Sequence, residues 1–222
     1  EMLPCCQAAG VPLVAYFLGF DAYRHDMLER YGDYRALFAH AAALVGVSRA
    51  ICDQLIALGA PPEKVHYNSC GADLGLFTRC SPGTAPPHFL AVGRFVDKKA
   101  PHLTLLAFAR AYAQRPDARL TMVGDGPLWE TCHQLVRALG LQERVDLCGR
   151  RAPAEVSALL QRSRAFVQHS VITSTNDREG TPVAILESMA AGVPVISTRH
   201  GDITELVKDE EQGKVRARAR EA

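Results

Sequence analysis

Residues 176–198 read NDREGTPVAILESMAAGVPVIST, a loop, a helix and a short strand in quick succession. Thr181 is suited to cap the helix and Pro182 to its first turn, where the N–H that proline lacks would have had no partner. Gly192 supplies a stop, and VPVIS reads as a short buried strand. Two carboxylates straddle the loop-to-helix junction: Glu179 before it and Glu187 after it, with seven residues between them. The backbone N–H groups from about Val183 onward have no intrahelical acceptor, and the positive end of the helix dipole lies beside them. Such a seat suits a sugar diphosphate, because amides hold phosphate oxygens while acids accept hydrogen bonds from hydroxyls. Taken singly, Glu179 reads only as a cap acid and Glu187 as a surface acid.

Working outward, strand-like and helix-like segments alternate throughout the chain, which argues for βαβ units and a mostly parallel sheet. Residues 11–18, 44–47 and 65–68 read as three strands, with Ser48 capping a helix that runs through Leu58. That is the end of a Rossmann-like domain, residues 1–69, with too little to cover its sheet. Residues 70–87 hold three glycines and three prolines without periodicity and read as the connection between domains. From residue 88 the alternation restarts: strands at 88–93, 118–123, 144–148, 164–168 and 193–197, helices at 101–114, 127–139, 153–162 and 182–191. Residues 88–207 therefore form the second domain. The stripes Leu105, Phe108, Ala109, Tyr112 and Leu128, Cys132, Leu135, Val136, Leu139 mark helix faces turned to the core. ITELV suggests one more helical turn, and residues 208–222 read as a charged, frayed tail.

Composition is that of an ordinary globular protein, 48% hydrophobic and 22% charged. Lys+Arg 25 against Asp+Glu 24 leaves no broad basic face for nucleic acid or anionic lipid. The seven cysteines contain no C-x-x-C pair and are odd in number, which argues against a disulfide framework and fits a reducing cytoplasm. The most apolar run, VPLVAYFLGF, is about half the length that spans a bilayer.

Two further loops carry chemistry. Gly93-Arg94-Phe95-Val96-Asp97-Lys98-Lys99 follows the first strand of the second domain, and in an open parallel sheet ligands lie outside the carboxyl ends of the strands. Arg94 can grip phosphate in a fork and Lys99 can act as a point charge; the bland alternative is a solvated basic loop. Gly124-Asp125-Gly126-Pro127 follows the next strand, where two glycines permit close approach to a ligand or merely a tight turn. Trp129 interrupts the dinucleotide fingerprint that a third glycine would complete, so an oxidoreductase reading is poor. His169, at a strand end, reads as a hydrogen-bonding residue and is left out of the catalytic set. No D-x-D pair and no His/Cys cluster with metal spacing is present, so a metal-independent site is expected.

EGTPVAILE followed by AAGVPVIST closely resembles the E-x7-E element of the retaining family 4, or "group 1", glycosyltransferases of GT-B fold. VGRFVDKKAP resembles the family's phosphate clamp, with Ala100 where that pattern has glycine, and VGDGPL resembles its donor-domain loop. VGVSRAICDQLIALGAPPEKVH and GADLGLF resemble the passage that ends its acceptor domain. The resemblance implies an α/β protein: a parallel-sheet donor domain preceded by part of an acceptor domain, a fragment lacking most of the latter and the C-terminal helix. It implies transfer of a sugar, with retention, from a nucleoside diphosphate sugar to a sugar, lipid-linked sugar or other small acceptor, in polysaccharide or glycolipid biosynthesis, in the cytoplasm or at the inner face of the membrane. Arg94 and Lys99 would hold the diphosphate and Glu179 would touch the sugar. Gly93, Gly124, Gly126, Gly180, Thr181, Pro182 and Val183 would line the nucleotide site, with Arg150 near the base and Glu187 on the ribose. The family commonly has His where this chain has Leu18, before Gly19. Leucine cannot form a hydrogen bond through its side chain, which motivates the alternative of a non-catalytic nucleotide-binding or interaction module.

Overall fold

The computed structural model describes residues 2–208 and 213–216, and the chain divides into two compact units. The first comprises residues 1–70 together with 172–181, and the second residues 71–171 together with 182–222.

The first unit runs α1 (Leu3–Ala9), β1 (Val14–Phe17), α2 (Phe20–Tyr23), α3 (His25–Arg30), α4 (Arg35–His40), β2 (Ala43–Gly46), α5 (Arg49–Ala57) and β3 (Val65–Tyr67). Its strands form a parallel sheet in the order β1-β2-β3. Phe17, Phe38, Leu44, Val47, Ile51 and Leu55 make its core. Ser48 caps α5 as its sequence position predicts, its hydroxyl accepting from Ile51 N at 3.0 Å.

The second unit runs β4 (His88–Val92), α6 (Pro101–Tyr112), β5 (Arg119–Val123), α7 (Trp129–Ala138), β6 (Val145–Leu147), α8 (Pro153–Leu160), β7 (Ala165–Gln168), α9 (Val183–Ala190), β8 (Val195–Thr198), α10 (Ile203–Leu206) and β9 (Gly213–Arg216). Among the described residues its six strands are parallel, in the order β6-β5-β4-β7-β8-β9. Successive residues of a strand face opposite sides of a sheet, so neighbours on β4 enter different cores. Leu90 packs with Phe166, Val156, Ile185 and Ile203. Ala91 packs with Leu120, Met122, Leu105, Phe108 and Val136. The result is a doubly wound sheet whose strand order reverses between β4 and β7, which is where such sheets open a crevice at their carboxyl ends.

Three local expectations change. Gly213–Arg216, assigned from sequence to the charged tail, is a strand paired with β8, last in the order of the described strands; its charged, uneven sequence disguises it. Apart from Lys208, the rest of that tail lies outside the described residues. Leu139, counted as core, is 36% exposed, because it falls at the C-cap of α7 where the stripe has left the sheet. Of the stretch 70–87, residues 71–87 are part of the second unit: Phe77 is in its core, and the Ser157 hydroxyl donates to Leu76 O at 2.7 Å.

All seven cysteines lie among the described residues, and none is in a disulfide. Among the described residues no helix is long and apolar enough to cross a membrane.

Candidate functional site

The loops at the carboxyl ends of β4, β5 and β6 are laced to one another by backbone hydrogen bonds. Gly93 N donates to Val123 O at 2.9 Å, Phe95 N to Asp125 O at 2.7 Å, and Gly124 N to Gly149 O at 2.8 Å. The lacing depends on missing side chains. Gly124, at φ 130°, would bring a Cβ to 1.9 Å from Gly93 O, and Gly126, at φ 148°, to 2.7 Å from Phe95 O. The two glycines serve the approach of one loop to another, which their sequence alone did not separate from approach to a ligand.

The structure brings Gly93, Arg94 and Lys99 together at the switch point. They line a crevice with Phe95, Gln168 and His169, between the ends of β4 and β7. A Cβ at Gly93 would be 3.4 Å from Cδ and Cε of Lys99 and 3.8 Å from Nζ, so the lysine stem lies along the Gly93 backbone. Arg94 is exposed. Gln168 was missed as a lining residue, and His169, left out of the catalytic set, lines the crevice beside it; the signal for both was their position at the end of the strand that neighbours β4. Ala100, where the resembling pattern has glycine, is fully buried with φ 40° and ψ 54°, a left-handed conformation that glycine adopts more easily. Trp129, which breaks the dinucleotide fingerprint, opens α7 and packs edge-on against Phe95 with centroids 5.2 Å apart.

Arg150 is exposed, and its Nε donates to the Asp125 carboxylate at 2.8 Å, joining the loops after β5 and β6. Exposure keeps that pair weak, so the guanidinium remains available to a ligand.

On α9, Pro182 is the N-cap and not the first-turn residue, and its side chain makes no cap hydrogen bond. Ile185 N donates back to Pro182 O at 3.0 Å; the amides of Val183 and Ala184 come earlier, in the first turn whose N–H groups have no intrahelical acceptor. Glu187 lies one turn further on, half-buried, and burial pushes its carboxyl above the usual range. Thr181 does not cap: its hydroxyl donates to Val47 O at 2.7 Å in the first unit. A tertiary carbonyl has taken the hydroxyl that the local pattern assigned to the helix.

Glu179, Gly180 and Thr181 therefore belong to the first unit, whereas Arg94, Lys99, Pro182, Val183 and Glu187 belong to the second. Glu179 is 6% exposed. Gly180 lies against the backbone of Leu18, a Cβ there falling 2.4 Å from Leu18 O. The Asp21 carboxylate holds that corner, accepting from Leu18 N at 3.0 Å and Gly19 N at 2.9 Å. Among the described residues, no three His, Cys, Asp or Glu side chains are grouped as a metal site.

With this arrangement in view, comparison with known proteins gives one answer. The putative colanic acid biosynthesis glycosyltransferase WcaL of Salmonella typhimurium is 31% identical over 205 residues, covering 90% of this chain and 50% of that protein. The amylovoran biosynthesis glycosyltransferase AmsK of Erwinia amylovora is 30% identical over 203 residues, with 90% and 50% covered. The chain thus spans about half the length of the curated relatives it matches. The crystal structure of Anabaena Alr3699/HepE in complex with UDP-glucose superposes with a TM-score of 0.76 at 22% identity, covering 97% of this chain and 61% of that one. That likeness shows the fold, a GT-B type of parallel α/β units. Residues 81–219 match the family described as Glycosyl transferases group 1, and the chain belongs to that family.

Proposed function

We propose that this chain carries the nucleoside diphosphate sugar site of a retaining, family 4 glycosyltransferase that works in polysaccharide or glycolipid biosynthesis in the cytoplasm or at the inner face of the membrane. The observation that carries the reading is that Arg94 and Lys99 both line one crevice at the switch point of the second unit's sheet. A parallel sheet offers its ligand seat there, and two cations suit a diphosphate. The relatives' names place them in colanic acid and amylovoran biosynthesis, and HepE was crystallised with UDP-glucose, which supports a donor of that class.

In this reading the second unit is the donor domain and the first is part of the acceptor domain. Arg94 and Lys99 hold the diphosphate and offset the charge that grows on it as the anomeric carbon–oxygen bond breaks. The amides of Val183 and Ala184 supply fixed dipoles in the same sense, so no metal ion is needed. Glu187 accepts from the ribose hydroxyls and Glu179 from the sugar. Gly93, Gly124, Gly126, Gly180, Thr181 and Pro182 shape the nucleotide site, with Arg150 near the base. A sugar, a lipid-linked sugar or another small molecule accepts the transferred group.

Leu18 favours a second reading. The resembling family has a histidine there; Leu18 is 54% exposed and offers a ligand no side-chain hydrogen bond. A chain that binds the donor without transferring sugar would follow. A crystal grown with UDP tests the site: density for the diphosphate beside Arg94 and Lys99 is expected, and density elsewhere would overturn the assignment. Release of sugar or its transfer to an added acceptor separates the two readings.

A further inference from the structure

Glu179 stands on the segment 172–181, which leaves the second unit after Val171 and packs as part of the first. Before Glu179, three residues close a ring of contacts. The Asn176 side chain donates through Nδ2 to Tyr23 O at 2.9 Å, and its Oδ1 accepts from the Arg178 guanidinium. That guanidinium in turn lies over the Tyr23 ring, its central carbon 4.3 Å from the centroid. A partly desolvated Arg on an aromatic face is held by more than apolar contact. Asn176 has φ 62°, a left-handed conformation that asparagine tolerates better than most residues. His25 N donates to Thr175 O at 3.3 Å, and Asp177 N to the Thr173 hydroxyl at 2.9 Å, so the turn is also tied from within and from behind. After Glu179, Gly180 lies on the Leu18 backbone and Thr181 is bonded to Val47 O.

The backbone of Glu179 is thus pinned on both sides, and each of these named anchors is in the first unit. We propose that Asn176 and Arg178, clamped on Tyr23, are positioning residues for Glu179, so that this acid takes its orientation from the first unit and not from the strand and helix that flank it in sequence. The inference rests on the reading of Glu179 as the acid that accepts from the donor sugar. Neither Asn176 nor Arg178 needs to touch the ligand. Their effect should fall on the sugar's share of donor affinity and leave the nucleotide's share alone.

Calorimetric titration of the chain with UDP, GDP and their glucose, galactose, N-acetylglucosamine and mannose conjugates gives the test. The sugar nucleotide that the wild type holds most tightly relative to its bare diphosphate is then used on the variants. Asn176→Gly keeps the left-handed backbone and removes both amide bonds; Arg178→Met keeps a long stem and removes the cation. Both are expected to lose the sugar's share about as fully as Glu179→Gln does, threefold or more, while bare diphosphate affinity stays within twofold. Should Glu179→Gln lose that share and the other two keep it, the positioning role is overturned. Parallel loss of bare diphosphate affinity would overturn it too, since it would mean that the variants act through general unfolding. A Glu179→Gln chain equal to wild type, or a wild type that gains nothing from the sugar, would overturn the underlying reading of Glu179 and the inference with it.

Discussion

A Cβ placed on Gly124 would stand 1.9 Å from the carbonyl oxygen of Gly93, at a φ of 130° that residues with side chains rarely adopt. The loops after β4 and β5 meet backbone to backbone there, and neither can yield without breaking the bonds that lace them. Gly124→Ala is therefore expected to cost about 2–4 kcal/mol, combining overpacking with backbone strain. Urea unfolding checks it, and a loss below ~1 kcal/mol would mean that the loops are not held this closely.

Arg94 and Lys99 are expected to act on phosphate charge. Removing either by Ala should weaken binding of a nucleoside diphosphate about 10-fold to 100-fold, the usual worth of a hydrogen bond to a charged group. Affinity of the wild type should also fall with added salt more steeply than that of either variant. Titration at two ionic strengths checks both statements.

Burial raises the Glu187 carboxyl above its ordinary value of 4.5. The folded chain then binds this proton more tightly than the unfolded chain does, so its contribution to stability falls as pH rises from about that value through the raised folded one. Glu187→Gln should gain stability on wild type across that window and show no gain below it. Ligand binding runs the other way, because ribose hydroxyls donate best to the ionised acid. Nucleotide affinity of the wild type should rise through the same window, and that of Glu187→Gln should stay flat. Urea midpoints and titrations at a series of pH values check the pair.

Thr181 offers a separation of local from tertiary roles. If its hydroxyl serves Val47 O, Thr181→Val should cost about 1–2 kcal/mol by leaving a buried acceptor without its donor. Hydrogen exchange would show the loss around Val47 and not in α9, whereas a capping role would loosen α9 first.

That contrast also explains what the sequence revealed. Ser48 was legible as a cap because its partner, Ile51 N, is three residues away. Thr181 looked the same but answers to a carbonyl far off in sequence, which no local pattern reports. The strand and helix alternation, the core-facing stripes of α6 and α7 and the cationic loop after β4 were readable because periodicity and the rules of parallel sheets are local or topological. The sixth strand, β9, was hidden by its charges. The membership of Glu179 in the first unit was hidden as well, since that segment is enclosed on both sides by residues of the second. Gly124 and Gly126 announced close approach, but only the fold tells what approaches.

Leu18 adjoins Gly180 through its backbone, so a side chain there is near the segment that carries Glu179. Leu18→His supplies the donor and acceptor that the resembling family has at this place, on an exposed residue that can change without disturbing a core. Any release or transfer of sugar by the chain should increase in this variant, with nucleoside diphosphate affinity unchanged. Unaltered turnover would remove Leu18 as the reason for regarding the chain as a non-catalytic module.

The most direct measurement of the central claim is calorimetric titration of this chain, without added metal, with UDP, GDP and NAD, beside Arg94→Ala and Glu187→Ala. A working donor site predicts saturable binding of one nucleoside diphosphate, weakened in both variants, and none of NAD. Folded chains that bind neither diphosphate, or bind one equally well in all three proteins, would contradict it.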